Sequence, residues 1–268
     1  MRIDIGVTIH NRPQYTKVFF DSILKCLHSD YRLFVFDDAS DQETQDLIQN
    51  YCVMNPHFIN LRSNENVGNV CAKRILLETM ESKYIVQTDN DILLSKHSPD
   101  LLQRQIQVLD RCPKITCIVP RVSDIPLNGG EPKRIVANRG RKIYNNVVQI
   151  KRYGCLFQMQ RRDRLIEVNA YELQTRHKWD SYEFNLAKLL QGKGRRRDFK
   201  YGMFTNIWIA LQDIEKGRGY TEKNPHWPFP FSKKGDLRCV IANKDTLEPL
   251  WHKDGAPPRW WNKTKYYK

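Results

Sequence analysis

The sequence predicts an α/β fold whose core is a parallel sheet crossed over by helices. Two observations carry that expectation. Short apolar runs of strand character alternate with stretches of helical spacing from Ile3 to Leu109. Two acidic clusters, Asp37-Asp38 and Asp89-Asn90-Asp91, each follow such an apolar run, and in sheets of this kind ligands gather at the carboxyl ends of the strands.

The elements follow in order. Ile3, Ile5, Val7 and Ile9 alternate with Asp4, Gly6 and Thr8, the period of a strand. Asn11-Arg12-Pro13 ends it, and Pro13 suits the first turn of a helix whose apolar side carries Val18, Phe19, Ile23 and Cys26. Tyr31–Phe36 reads as a second strand, and a polar helix with Leu47, Ile48 and Tyr51 inward comes next. Phe58–Leu61 is a third strand, Asn66-Val67-Gly68 turns into a helix through Leu77, and Lys83–Gln87 is a fourth strand. Leu101–Leu109 is helical and Ile115–Val119 is a fifth strand. Residues 124–142, with Pro126, Gly129, Gly130, Pro132 and Gly140, read as a long loop. Apolar alternation resumes at Val147–Ile150 and Gly154–Met159, and Phe199–Leu211 is mostly apolar. Phe184–Leu190 reads as a helix closed by Gly192, followed by the basic loop Gly192–Arg197. The tail from Tyr220 holds six prolines and many aromatics, and is expected to wrap the body rather than form a domain.

Composition narrows the function. The chain has 268 residues, 40% hydrophobic and 28% charged, ordinary for a soluble globular protein. No apolar run approaches the ~18 residues of a membrane span, and the N-terminus does not read as a signal peptide. Seven cysteines without a CxxC pair read as reduced thiols in a cytoplasmic protein, host cytoplasm if the chain is viral. The net charge of +14 is uneven: residues 1–130 carry −2 and residues 131–268 carry +16, together with all six tryptophans. A basic, aromatic-rich half predicts a face that meets a polyanion.

Asp89-Asn90-Asp91 carries the chemistry. Two carboxylates two residues apart, on a turn after a buried strand, can aim at one hard cation, and Mg²⁺ and Mn²⁺ take carboxylate and phosphate oxygens. This predicts a site for a metal and a diphosphate.

From Ile3 to Leu94 the chain resembles the family-2-type glycosyltransferases of the GT-A fold, the fold of nucleotide-diphospho-sugar transferases. The matching stretches are Thr8-Ile9-His10-Asn11-Arg12-Pro13, Phe36-Asp37-Asp38-Ala39-Ser40, Asn66-Val67-Gly68 with Ala72-Lys73-Arg74, and Asp89-Asn90-Asp91. A weaker match continues at Tyr153–Phe157 and Arg161-Arg162, which are similar to an acceptor-side glycine strand and arginine pair.

The resemblance implies a single GT-A domain, α/β, mainly parallel and flanked by helices, with a basic aromatic-rich C-terminal extension. Residues 1–120 would bind the nucleotide sugar, and residues 121–268 the acceptor. It implies that Thr8, His10 and Asp38 line the nucleobase pocket, with Asp38 accepting from a base N–H. Asn66, Lys73, Asp89 and Asn90 would complete the donor site. Lys73 stands where the family has Arg, and would neutralise the diphosphate as a point charge. His10 stands in place of Tyr. Asp89 would touch the sugar or ribose and, with Asp91, hold Mn²⁺ or Mg²⁺. Asp37 is expected instead to fix its turn. The family's acidic pair at a helix start has its counterpart in Trp179–Glu183. That makes Asp180 the expected base and Glu183 the alternative. A late histidine, His226 or His252, is a candidate third metal ligand.

The function implied is metal-dependent, inverting transfer of a sugar, by default from a UDP-sugar, to a hydroxyl acceptor. The +16 half suggests a hydroxymethylated base in DNA as that acceptor, as in modified bacteriophage genomes. Arg195-Arg196-Arg197, with Arg161 and Arg162, would face it. Two alternatives remain: an anionic, teichoic-acid-like or lipid-linked cell-envelope acceptor, and a non-catalytic nucleic-acid-binding protein on the same fold.

Overall fold

A computed structural model describes residues 2–94, 100–124, 133–134, 142–150, 157–170 and 200–211. The first half alternates strand and helix as the sequence predicts: β1 (Ile3–Ile9), α1 (Pro13–Cys26), β2 (Tyr31–Asp38), α2 (Gln42–Met54), β3 (Phe58–Ser63), α3 (Asn69–Thr79) and β4 (Tyr84–Asp89). Then come β5 (Ile92–Leu94), α4 (Leu101–Arg111), β6 (Ile115–Asp124), β7 (Lys133–Arg134), β8 (Lys142–Tyr144), β9 (Val147–Ile150), β10 (Gln158–Arg161), α5 (Arg162–Glu167) and β11 (Lys200–Leu211). The expected loop at 124–142 is thus interrupted by the short β7 and bounded by β8. The predicted helix Phe184–Leu190, the basic loop at 192–197 and the tail from Tyr220 lie outside the described residues. Most of the described strands belong to one compact unit, Met1–Arg121 with Asn138–Ile209; β7 and the ends of β6 and β11 belong to a second.

The strands follow the order β3-β2-β1-β4-β10-β6-β11-β9-β8, with β5 beside β11 and β7 beside β6. β3, β2, β1 and β4 run parallel. Beyond β4 the described pairings of β10, β6, β11, β9 and β8 are antiparallel, so the sheet is mixed. The chain adds β2 and β3 on one side of β1 and then returns to place β4 on the other. That reversal opens a crevice at the carboxyl ends of β1 and β4.

β1 is buried along nearly its whole length, Asp4 included, as a strand at the centre of the sheet is when both its faces are covered. Ile5, Val7, Leu33 and Val35 are fully enclosed, with Phe19, Phe20 and Ile48 from α1 and α2. Gly6 is the price of α3's close approach: a Cβ there would lie 3.1 Å from Met80 Cε and 3.2 Å from Leu76 Cδ1. At α1 the chain turns through two left-handed residues, Asn11 (φ 57°) and Arg12 (φ 63°), before Pro13 starts the helix. No disulfide joins the described cysteines; Cys26 and Cys117 are buried and Cys71 is exposed. Among the described residues no helix is long and apolar enough to cross a membrane.

Candidate functional site

Parallel register brings the expected donor-site residues of three strands together. Thr8 pairs with Asp89 across β1 and β4, and Ile9 pairs with Asp37 across β1 and β2. Asp37 and Asp38 therefore end one flank of β1 while Asp89 ends the other.

Each acidic residue has a separate task. Asp37 is buried, and its Oδ1 accepts from Ser40 N at 2.9 Å, closing the turn that holds Ala39 at φ 53°. Asp38 is buried too. Its Oδ1 accepts from Val67 N at 2.7 Å and its Oδ2 from Gly68 N at 3.0 Å. The carboxylate thereby fastens the loop before α3 to the end of β2. Gly68, at φ 81°, adopts the left-handed backbone that this presentation of consecutive N–H groups requires. A carboxylate has about four acceptor positions, so lone pairs remain for a ligand N–H.

His10 is exposed at the end of β1, and its Nδ1 donates to the carbonyl oxygen of Asp38 at 2.7 Å. That bond fixes the tautomer and leaves Nε2, 3.5 Å from Asn11 Nδ2, as the outward nitrogen. Asn11 N donates to Ser40 Oγ at 2.9 Å, and Asn11 Oδ1 accepts from Asp41 N at 2.7 Å. The turns after β1 and β2 are thus sewn together. Asp41 caps α2 through Thr44 N at 2.9 Å, and its hydrogen bonding with Thr44 holds its carboxyl below the ordinary range.

The Asp89-Asn90-Asp91 turn is anchored inward. Asn90 is buried, and its Nδ2 donates to Thr16 Oγ1 on α1 at 2.9 Å. Thr88 Oγ1, just before the motif, accepts from Phe157 N at 3.2 Å. Asp89 keeps 32% of its side chain exposed, and its Oδ1 accepts from Lys73 Nζ at 3.2 Å. Lys73 is only 1% exposed, so its ammonium faces Asp89 rather than solvent. Asn66 is exposed on the loop held by Asp38.

The donor set fits a hard divalent cation. Mg²⁺ is usually held by one or two carboxylates, with substrate phosphates and water completing the shell, and the chain places Asp89 and Asp91 two residues apart at the end of β4. Among the described residues no group of three His, Cys, Asp or Glu converges as a self-sufficient cage. Asp180, Glu183, His226, His252 and Arg195–Arg197 lie outside the described residues.

Two residues that sequence reasoning did not single out belong here. Asn69, at the start of α3, accepts Thr8 Oγ1 on its Oδ1 at 3.0 Å, and Thr16 holds Asn90. Asn69 directly follows Gly68, which was a usable signal. Thr16 sits on the buried side of α1 and reads as ordinary helix.

Arg161 and Arg162, expected to face the acceptor, lie at the amino end of β4. β10 runs antiparallel to β4 with Arg161 opposite Tyr84, at the amino end of β4 and roughly 17 Å along the strand from Asp89. The Arg161 guanidinium donates to Ile115 O at 2.9 Å and to Leu109 O, and lies over the Tyr84 ring at 5.4 Å. It caps the carbonyl end of α4, where a cation is favoured. Arg162 begins α5 at the same end, its N–H donating to Lys83 O at 3.2 Å.

Several known proteins are similar. The putative teichuronic acid biosynthesis glycosyltransferase TuaG of Bacillus subtilis (strain 168) is 25% identical over 100 residues, 37% of this chain and 38% of that protein. In fold, the chain resembles GalNAc-T7, solved with UDP, GalNAc and Mn²⁺, at TM-score 0.62 and 12% identity, covering 79% of this chain and 44% of that one. It resembles residues 1–349 of S. aureus TarS at TM-score 0.54 and 13% identity, covering 79% and 60%. It also resembles the mannosyltransferase PcManGT of Pyrobaculum calidifontis, solved with GDP-Man and Mn²⁺, at TM-score 0.54 and 13% identity, covering 80% and 58%. The chain spans less than two thirds of each of these proteins. The profile described as glycosyl transferase family 2 matches residues 4–193. That match begins inside β1 and takes in every strand-end turn described above, and the chain belongs to glycosyl transferase family 2.

Proposed function

We propose that the protein transfers a sugar from a nucleoside-diphosphate donor to a hydroxyl acceptor. The observation that carries this reading is the register of Thr8 with Asp89, flanked by Asp38, at the carboxyl ends of three parallel strands. Family membership and the resemblance to proteins solved with UDP or GDP-Man and Mn²⁺ support it.

Thr8, His10 and Asp38 would hold the nucleobase, with Asn66 on the neighbouring loop. Asp89 would meet the ribose or sugar, and Asp89 and Asp91 would hold Mn²⁺ or Mg²⁺. When bound, the cation supplies charge stabilisation to the departing diphosphate. Asp180 would accept the acceptor's hydroxyl proton as that oxygen attacks the anomeric carbon. The new carbon–oxygen bond forms as the bond to the diphosphate breaks, and the anomeric centre inverts. Residues 1–120 would serve the donor and residues 121–268 the acceptor.

The acceptor reading rests on charge. A half-chain at +16 with all six tryptophans suits a polyanion, and a hydroxymethylated base in DNA offers both phosphates and a hydroxyl. One observation favours a second reading, an anionic cell-envelope polymer: the relative named for teichuronic acid biosynthesis. The test is donor turnover across UDP- and GDP-sugars with Mn²⁺, in three arms: no acceptor, DNA containing 5-hydroxymethylpyrimidines, and an anionic wall polymer. Label appearing in DNA supports the first acceptor, and label in the polymer alone the second. No nucleotide-sugar turnover in any arm, and no nucleoside-diphosphate binding, refutes the enzyme reading.

A further inference from the structure

Lys73 lies in the second turn of α3, beside the buried Ala72 and Leu76. Its backbone carbonyl accepts from Gln87 Nε2 at 3.3 Å, which ties that turn to β4. At the far end of its side chain, Nζ meets Asp89 Oδ1 at 3.2 Å. An enclosed ammonium is costly unless a counter-charge and hydrogen bonds meet it. Drawing this lysine out to a diphosphate would leave its pocket and give up that partner. The geometry therefore sets it apart from a surface cation waiting for phosphate.

We propose that Lys73 is a positioning residue, the resident counter-charge of Asp89, and that it couples occupancy of the Asp89–Asp91 turn by a divalent cation to the presence of the nucleoside diphosphate. The proposal rests on the reading of Asp89 and Asp91 as the metal-holding pair. The ammonium already answers the charge of the Asp89 carboxylate. A hydrated cation arriving alone meets that occupied carboxylate and a nearby like charge. A cation arriving with a diphosphate brings the missing anionic oxygens, which oppose the ammonium's repulsion. By linkage, whatever the nucleotide adds to metal affinity the metal adds to nucleotide affinity. Lys73 also holds the Asp89 carboxylate at one oxygen.

The test reads metal binding, not turnover. Mn²⁺ is titrated into protein without nucleotide, with the free ion followed by its electron paramagnetic resonance signal, for the wild type, Lys73→Met and Lys73→Arg. Thermal melting checks each fold. Lys73→Met removes the charge at similar length, and is expected to tighten nucleotide-free Mn²⁺ binding roughly tenfold or more. Lys73→Arg keeps the charge and is expected to bind Mn²⁺ as weakly as the wild type. A purely structural lysine would give weaker binding in both. Lys73→Met binding Mn²⁺ alone no tighter than the wild type overturns the proposal. A second measurement needs no variant. The wild type should bind Mn²⁺ at least about tenfold tighter with UDP or GDP than without, after correction for the Mn²⁺–nucleotide complex, and equal affinities overturn the proposal. Absence of Mn²⁺ binding in every condition, with nucleotide binding intact, removes the metal reading of the turn and this proposal with it. Absence of nucleotide binding too would instead refute the enzyme reading.

Discussion

Asp4 and Arg32 are register partners across β1 and β2, and their side chains meet at two points, Nε to Oδ1 at 2.8 Å and Nη2 to Oδ2 at 2.9 Å. Asp4 has no exposed surface, and its Oδ2 also accepts from Glu81 N and Ser82 N, so one carboxylate joins β1, β2 and the turn before β4. Burial pushes its pKa up. The Arg32 side chain and the two backbone N–H groups outweigh that and hold it below its ordinary value of 3.8. A carboxyl depressed in the folded state stabilises fully above its unfolded pKa, and the contribution is lost as pH falls through the folded value. Asp4→Ala is expected to cost about 3 kcal/mol at pH 7, the scale for breaking a buried pair. It should also flatten the acid limb of stability, so that the gap to wild type narrows below pH 3.8. Urea unfolding from pH 7 to pH 2.5 measures both; a constant gap across that range would remove the assignment.

Asp91→Asn is expected to abolish transfer with the fold intact. The amide keeps the shape but withdraws a carboxylate oxygen from a hard cation. Circular dichroism and donor turnover on one preparation check it. Wild-type turnover of the mutant in excess chelator would refute a metal role for Asp91.

Asp180→Asn is expected to leave donor binding nearly unchanged and lower turnover by about 10²-fold or more, the usual scale for a lost general base. Calorimetry with the nucleoside diphosphate and single-turnover kinetics separate the two effects. Loss of turnover in Glu183→Gln instead would move the base to Glu183.

Replacing Arg195, Arg196 and Arg197 with Ala is expected to weaken DNA binding and flatten its salt dependence, by about 0.9 in slope for each duplex phosphate no longer neutralised. Affinity for the nucleoside diphosphate should stay unchanged. Gel shifts at several salt concentrations, alongside calorimetry, read both. Wild-type binding no tighter than that of an equally basic control protein would turn the acceptor reading toward the envelope polymer.

In the parallel half, β1, β2 and β4 were legible because each is a compact apolar run ended by a strong punctuator: Asn11-Arg12-Pro13, Asp37-Asp38 or Asp89-Asn90-Asp91. β1 also shows where that legibility stops. Its alternation suggests one polar face, yet Asp4 is enclosed, because its charge is answered by Arg32, a residue 28 positions away. β5, β7 and α5 escaped because elements of two to six residues carry too little periodicity to register. In the site, the strand-end acids were readable from spacing, whereas Lys73's orientation was not. Its burial against Asp89 is set by packing that spacing does not record. Arg161's place was unreadable for the same reason: a basic pair carries no mark of which end of a strand it occupies.

The grip of Asp38 on Val67 and Gly68 has a thermodynamic consequence. One wall of the crevice is already immobilised by two hydrogen bonds from the rim of the sheet. The conformational entropy of that loop is therefore lost during folding rather than at each encounter with a ligand. A guest entering beside β1 meets a surface of fixed curvature and need not first order it. Selectivity among guests then falls to their outline and donor pattern, because a stiff wall cannot reshape itself around a poor fit.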